Sequence, residues 1–129
     1  SIIIERRWET GEIVSITCVP VFAANYRSYN KVLVKKVSDY ISGGLVKQTT
    51  GSAYNNVTYI YDNGALACWI VDSSNNRKTT KVNYSSTGTK TMNYNGNASD
   101  LKGTSLKLRI STAATNFSAT TTSGSWTPN

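Results

Sequence analysis

The stretch Val57-Thr-Tyr-Ile-Tyr-Asp-Asn-Gly-Ala-Leu-Ala-Cys-Trp-Ile-Val71 contains the strongest β signal in the chain. Two runs rich in β-branched and aromatic residues flank Asp62-Asn63-Gly64, and Asn-Gly between such runs is typical of a hairpin with a type I′ turn. We therefore predict that residues 57–61 and 65–71 pair as a hairpin, with Gly64 at φ > 0. The second run is apolar at every position, which indicates a strand covered on both faces.

Further strand patterns lie on both sides of this centre, and turn residues separate them. The predicted strands cover residues 1–8, 13–22, 57–61, 65–72, 78–84, 89–94, 105–111 and 116–122. Short strands at intervals of about 8–12 residues indicate a sandwich or a barrel. We predict a single all-β domain over residues 1–129, built as an antiparallel β-sandwich or a barrel-like meander.

Residues 31–41 fit two interpretations. Val34, Val37 and Ile41 recur at helical spacing, which predicts one short helix. Val32-Leu33-Val34 is β-branched and fits a strand instead. Both alternatives stay open at the level of the sequence.

The charge balance directs attention to anionic partners. The chain has 129 residues, a formal net charge of +7 and only 16% charged residues. A basic protein is attracted to polyanions such as nucleic acid, anionic lipid head groups or acidic polysaccharides, and net charge does not choose among them.

The two cysteines predict one disulfide. Cys18 and Cys68 are the cysteines of the chain, and the sequence begins with Ser rather than Met. We interpret this combination as a secreted protein with a Cys18–Cys68 bridge, since disulfides persist in oxidising compartments. The alternative is two buried thiols that behave as small hydrophobes. No apolar run reaches the 18 or more residues that a transmembrane segment needs.

The residue types argue against catalysis. The chain contains no His, which removes the commonest general base and the commonest metal ligand. Asp62, Asp72 and Asp100 fall where turns favour Asp, so their carboxylates are interpreted as turn residues rather than as a catalytic pair. We expect a non-enzymatic protein without a metal ion or a cofactor.

Two features suggest a binding surface. In residues 105–111, Leu106, Leu108 and Ile110 alternate with Lys107 and Arg109, so the two cations should point outward together. Lys81 should join them on a common basic sheet face, whereas Lys78 should lie on the opposite face. Loop aromatics are the second feature, because Tyr among Asn, Ser and Gly offers amphipathic contact area. The candidate binding residues are Lys81, Lys107, Arg109, Tyr26, Tyr29 and Tyr54.

Together these features predict a secreted, non-enzymatic module that binds an anionic polymer, a glycan or a cell surface. One alternative is a small secreted toxin or antagonist that acts at a membrane. A further alternative is a nucleic-acid-binding β protein, in which aromatics between basic residues would hold a single strand. The sequence predicts neither the identity of the ligand nor the oligomeric state.

Overall fold

The computed structural model describes residues 4–7, 12–15 and 25–129, and this part of the chain is nearly all β. The described residues form eleven strands and two short 3-10 segments. The strands are β1 Ile4–Arg7, β2 Glu12–Ser15, β3 Arg27–Val34, β4 Tyr40–Ile41, β5 Leu45–Val46, β6 Ala53–Ile60, β7 Leu66–Asp72, β8 Val82–Tyr84, β9 Gly88–Met92, β10 Ser105–Thr112 and β11 Thr120–Thr127.

The strands pair antiparallel in three groups within the described residues. Strands β1 and β2 pair with each other and overlap the strands predicted over residues 1–8 and 13–22, whose remaining predicted residues, 1–3, 8 and 16–22, lie outside the described part of the chain. Sheet I has the order β3-β11-β6-β9, and sheet II has the order β4-β10-β7-β8, with β5 also paired to β10. The chain passes repeatedly from one sheet to the other, so most neighbours in a sheet are distant in sequence.

Sheets I and II pack face to face around one hydrophobic core. Leu106, Leu108 and Ile110 of β10 are fully buried, whereas Lys107 and Arg109 between them are half-buried. Sheet I contributes Val57, Ile60 and Trp126 to the same core, among others. The predicted all-β sandwich and the predicted alternation in β10 are therefore confirmed.

The predicted central hairpin is wrong. Strand β6 pairs with β11 and β9 in sheet I, whereas β7 pairs with β10 and β8 in sheet II. The residues between them form a corner that carries the chain across the sandwich. Each of the two strands pairs over a long stretch with a strand that is distant in sequence. The tight turn between them is compatible with this arrangement, because such a turn can form a corner between two sheets as well as a hairpin.

The turn itself lies one residue earlier than predicted. Asp62 and Asn63 adopt φ of 52° and 49°, and the Gly64 N–H donates to the Tyr61 carbonyl over 3.1 Å. Gly64 has φ −59°, so the prediction of a positive φ at Gly64 is also wrong. Asp and Asn tolerate the left-handed region better than most residues. Glycine is needed at position 64 because a Cβ would meet Thr120, with Cγ2 3.0 Å away.

Residues 31–41 contain no helix. Strand β3 continues to Val34, a turn closed by two hydrogen bonds between Lys35 and Ser38 follows, and β4 begins at Tyr40. The β-branched run at 32–34 decides the conformation, since it pairs with β11 along sheet I. The strand interpretation is confirmed. Within the described residues, no helix has the length and apolar character required to cross a membrane.

We predict that Gly64→Ala destabilises the protein through contact with Thr120. Adding a methyl group to a filled space costs about 1–3 kcal/mol. In a Thr120→Ala background the two nearest side-chain atoms are absent, so the same Gly64→Ala change should cost clearly less. Urea unfolding of the four proteins measures the difference. An equal cost in both backgrounds would show that backbone conformation, and not the contact with Thr120, requires the glycine.

Candidate functional site

Two cations converge on one aromatic ring at the outer surface of sheet II. Trp69 lies in the middle of β7, and its ring is only 7% exposed. The Lys81 Nζ lies 4.5 Å from the ring centroid, and the Arg109 guanidinium carbon lies 5.7 Å from it. The structure therefore brings Lys81 and Arg109 together, on the face that strand parity predicts for both.

This arrangement follows from the alternation of β7. Leu66, Cys68 and Ile70 point into the core, so Ala67, Trp69 and Val71 must form a stripe on the opposite face. A strand that is apolar on both faces needs cover on the outside as well. Long cationic side chains can supply that cover with their methylene groups while their charged ends remain in water.

Lys107 and Arg77 extend the cationic surface along the strand. Val71 is paired with Lys107 of β10 on one side and bridged to Arg77 on the other. Residues paired across an antiparallel ladder present their side chains on the same face. We call the surface formed by Arg77, Lys81, Lys107 and Arg109 around Trp69 the basic face. Arg77 was missed as a candidate, although counting back in steps of two from Lys81 reaches it.

Lys78 lies apart from the basic face, as predicted. Its Nζ is 3.6 Å from a carboxylate oxygen of Asp72. Asp72 follows the alternation of β7 on the same side as Leu66 and Ile70, which is the side opposite to Trp69. Asp72 also accepts hydrogen bonds from the N–H groups of Ser74 and Asn76, each over 2.9 Å. These hydrogen bonds, above all the one from the Asn76 N–H, hold the pKa of the Asp72 carboxyl below its ordinary value. Asp72 thus has the turn role that its sequence position indicated.

Among residues 25–129, Asp39 is the acidic residue that touches the basic face. Asp39, just before β4, accepts a hydrogen bond from the Arg109 Nε over 2.7 Å, and both side chains are partly exposed. The contact fixes the direction of the guanidinium and neutralises part of its charge. A partly exposed pair of this kind contributes little to stability, typically below about 1 kcal/mol.

The three candidate tyrosines do not join the basic face. Tyr26 is 51% exposed and precedes β3. Tyr54 lies within β6 between the buried Ala53 and Asn55, which places it on the outer face of sheet I, on the other side of the sandwich. Tyr29 is only 5% exposed, so its assignment as an exposed loop aromatic is wrong.

Tyr29 belongs to a polar cluster inside the core. Its hydroxyl donates to Asn55 Oδ1 over 2.6 Å, and Asn55 Nδ2 donates to the Tyr84 hydroxyl over 3.5 Å. Burial raises the pKa of both tyrosines above the ordinary value. A buried Tyr finds a hydrogen-bond partner in this way, which lets the rest of its ring pack as a hydrophobe.

Cys68 lies beside this cluster as a buried free thiol. Burial raises the pKa of the thiol to about 11, which suppresses the reactive thiolate at neutral pH. Cys18 lies outside the described residues, and the predicted Cys18–Cys68 bridge is not observed.

Lys47 is also withdrawn from the surface. It is fully buried, and its Nζ donates to the main-chain oxygens of Gly51, Pro128 and Asn129, the last two over 3.3 and 3.2 Å. The Tyr94 ring lies 4.4 Å from the same atom. Burial lowers the pKa of Lys47. The residue joins the segment after β5 to the segment after β11, so its charge is not available to a ligand.

Residues 25–129 contain no group of three or more His, Cys, Asp or Glu side chains that could hold a metal ion. Comparison of the chain with protein-family models, with curated proteins and with solved structures finds no match.

The buried tyrosines predict alkaline destabilisation. Tyr29, Tyr84 and Tyr94 have raised pKa values because of burial, whereas an unfolded Tyr ionises near pH 10. The unfolded chain loses these protons first, so the free energy of unfolding should fall as the pH rises above about 10. Urea unfolding at a series of pH values measures the slope. Tyr84→Phe should reduce the slope by up to about one proton, and an identical slope in the variant would contradict the assignment.

Proposed function

We propose that the protein is a secreted, non-enzymatic binding module for an acidic polysaccharide, which it binds with the basic face. The observation that carries the proposal is the convergence of Lys81 and Arg109 on Trp69, with Lys107 and Arg77 beside them. Asp39 is the acidic side chain paired with this surface in the described residues.

The spacing of the cations suits a linear polymer with repeated charges. Neighbouring strands lie about 4.8 Å apart, and alternate residues along a strand lie about 6.7 Å apart. The basic face therefore presents its charges as a flat array in two rows, one on β10 and one on residues 77–81, at either side of β7, rather than as a single pocket. Arginine can also form bidentate hydrogen bonds with carboxylate or sulfate groups, so acidic sugars would be bound by directed contacts in addition to the general attraction between opposite charges.

Trp69 supports this proposal in two ways. The ring holds Lys81 and Arg109 near one place before a ligand arrives, which lowers the conformational entropy lost on binding. In addition, Trp69 is only 7% exposed. Nucleic-acid binding to single strands depends on accessible aromatic faces for base stacking, so the covered ring favours recognition of charge over recognition of bases.

We predict that replacing Lys81, Lys107 and Arg109 together by Gln weakens binding to an anionic matrix. The triple variant should elute from heparin at clearly lower salt than the wild type, since three cations of one surface are lost. An oligonucleotide column of comparable charge density serves as the second matrix. Heparin retention that falls more than oligonucleotide retention supports the polysaccharide, and the reverse order favours nucleic acid.

The matched control removes equal charge elsewhere. Lys31 and Lys102 are exposed, Lys90 is half-buried, and none of the three belongs to the basic face, so the variant K31Q/K90Q/K102Q has the same net charge as the first. Lys47 is unsuitable for such a control because it is buried. Equal loss of heparin retention in the two triple variants would show that the charge acts as a whole and would overturn the proposal.

A second prediction tests the single acidic contact. Asp39→Asn removes the carboxylate that partly neutralises Arg109, so heparin elution should move to higher salt. Asp100→Asn is the control, because Asp100 is exposed in the 3-10 segment Ala98–Leu101 and its replacement changes the net charge equally. A shift of the same size in both variants would mean that Asp39 does not influence the basic face in particular.

A further inference from the structure

Three connections meet at one end of the sandwich, away from the centre of the basic face. They are the turn at Lys35–Ser38, the corner at residues 61–64 and the loop at residues 113–119. The Ala113 N–H donates to the Ala65 carbonyl over 2.9 Å, and the Lys36 Nζ donates to the Ala114 carbonyl over 3.1 Å. We call this surface the loop end.

The loop end exposes large apolar side chains, one from each connection. Val37 is 91% exposed, Phe117 is 77% exposed and Tyr61 is 58% exposed. Leu33, the next-to-last residue of β3, is 51% exposed as well. Single exposed apolar residues are ordinary, but several at the tips of neighbouring connections indicate an interaction surface.

Cationic side chains accompany these apolar tips. The Lys36 Nζ lies 4.7 Å from the centroid of the Phe117 ring. Lys35 is exposed in the same turn as Val37. Asp62 is the acidic residue in the three connections, so cations predominate here, on a chain with a net charge of +7.

We propose that the loop end docks on anionic lipid membranes, with Val37, Tyr61 and Phe117 entering the head-group region. Interfacial binding needs apolar side chains that can leave water together with cations that remain at the level of the lipid head groups. Tyr favours this boundary, because its ring is apolar and its hydroxyl is polar. The arrangement offers both parts on protruding connections, whereas the basic face offers charge on a flat sheet with its aromatic ring covered.

Vesicle co-sedimentation tests the docking site. The probe is phosphatidylcholine vesicles with and without phosphatidylserine, at physiological salt. The wild type should sediment with the mixed vesicles, and V37S/F117S should lose affinity by at least about tenfold, since two apolar side chains no longer enter the membrane. That variant keeps the net charge, so its elution from heparin should equal that of the wild type. This result separates the loop end from the basic face.

The control variant is I41S/V46S, which changes two other exposed apolar residues, 39% and 46% exposed, at the edge of sheet II. Its affinity for mixed vesicles should stay within about twofold of the wild type, as expected for surface substitutions outside a site. Loss of affinity in both variants, or no vesicle binding by the wild type, would overturn the proposal. A wild-type dimer that V37S/F117S converts to monomer would also overturn it, because the loop end would then bind a second copy of the chain.

Discussion

The alternation of β10 is the constraint on which the core and the basic face both depend. Leu106, Leu108 and Ile110 are fully buried between the sheets, and this packing forces Lys107 and Arg109 to the outside. A slip of one residue would exchange the two sets and place charges in the core. The face on which these two cations lie is therefore determined by the hydrophobic packing on the other side of the strand.

Strand identity could be predicted from the sequence, whereas strand partners could not. The runs at 57–61 and 65–71 are strands except for Tyr61 and Ala65 at their ends, and counting in steps of two correctly separated Lys81 from Lys78. Their assignment to one hairpin failed because Asp62-Asn63 supplies positive φ angles to a corner as readily as to a hairpin. The partner of β6 is β11, more than 60 residues away along the ladder, and nothing local to residues 57–71 indicates that choice.

Burial of amphipathic side chains was the second limit of local sequence patterns. Tyr29 is inside because its hydroxyl donates a hydrogen bond to Asn55, and Lys47 is inside because main-chain oxygens of Gly51, Pro128 and Asn129 accept hydrogen bonds from its ammonium group. All of these partners except Gly51 are distant in sequence, so neither residue type nor spacing identifies them. Arg77 is different, because the alternation that selected Lys81 also reaches Arg77, which lies one residue before the strand predicted over residues 78–84.

The cover over Trp69 leaves the cations free to bind. An indole on the outside of a sheet would expose a large apolar area, but Trp69 is only 7% exposed, and Lys81 and Arg109 both lie over its ring. A lysine ammonium group has three N–H donors, and when it lies above a ring only some of them point at the ring. A guanidinium has five N–H donors, all in the plane of the group. Asp39 occupies the Nε of Arg109, so the donors at the end of the guanidinium remain for a ligand. Contact with the ring therefore positions both cations without consuming the hydrogen bonds that an acidic sugar would need, and the same side chains can cover the strand and bind a polymer.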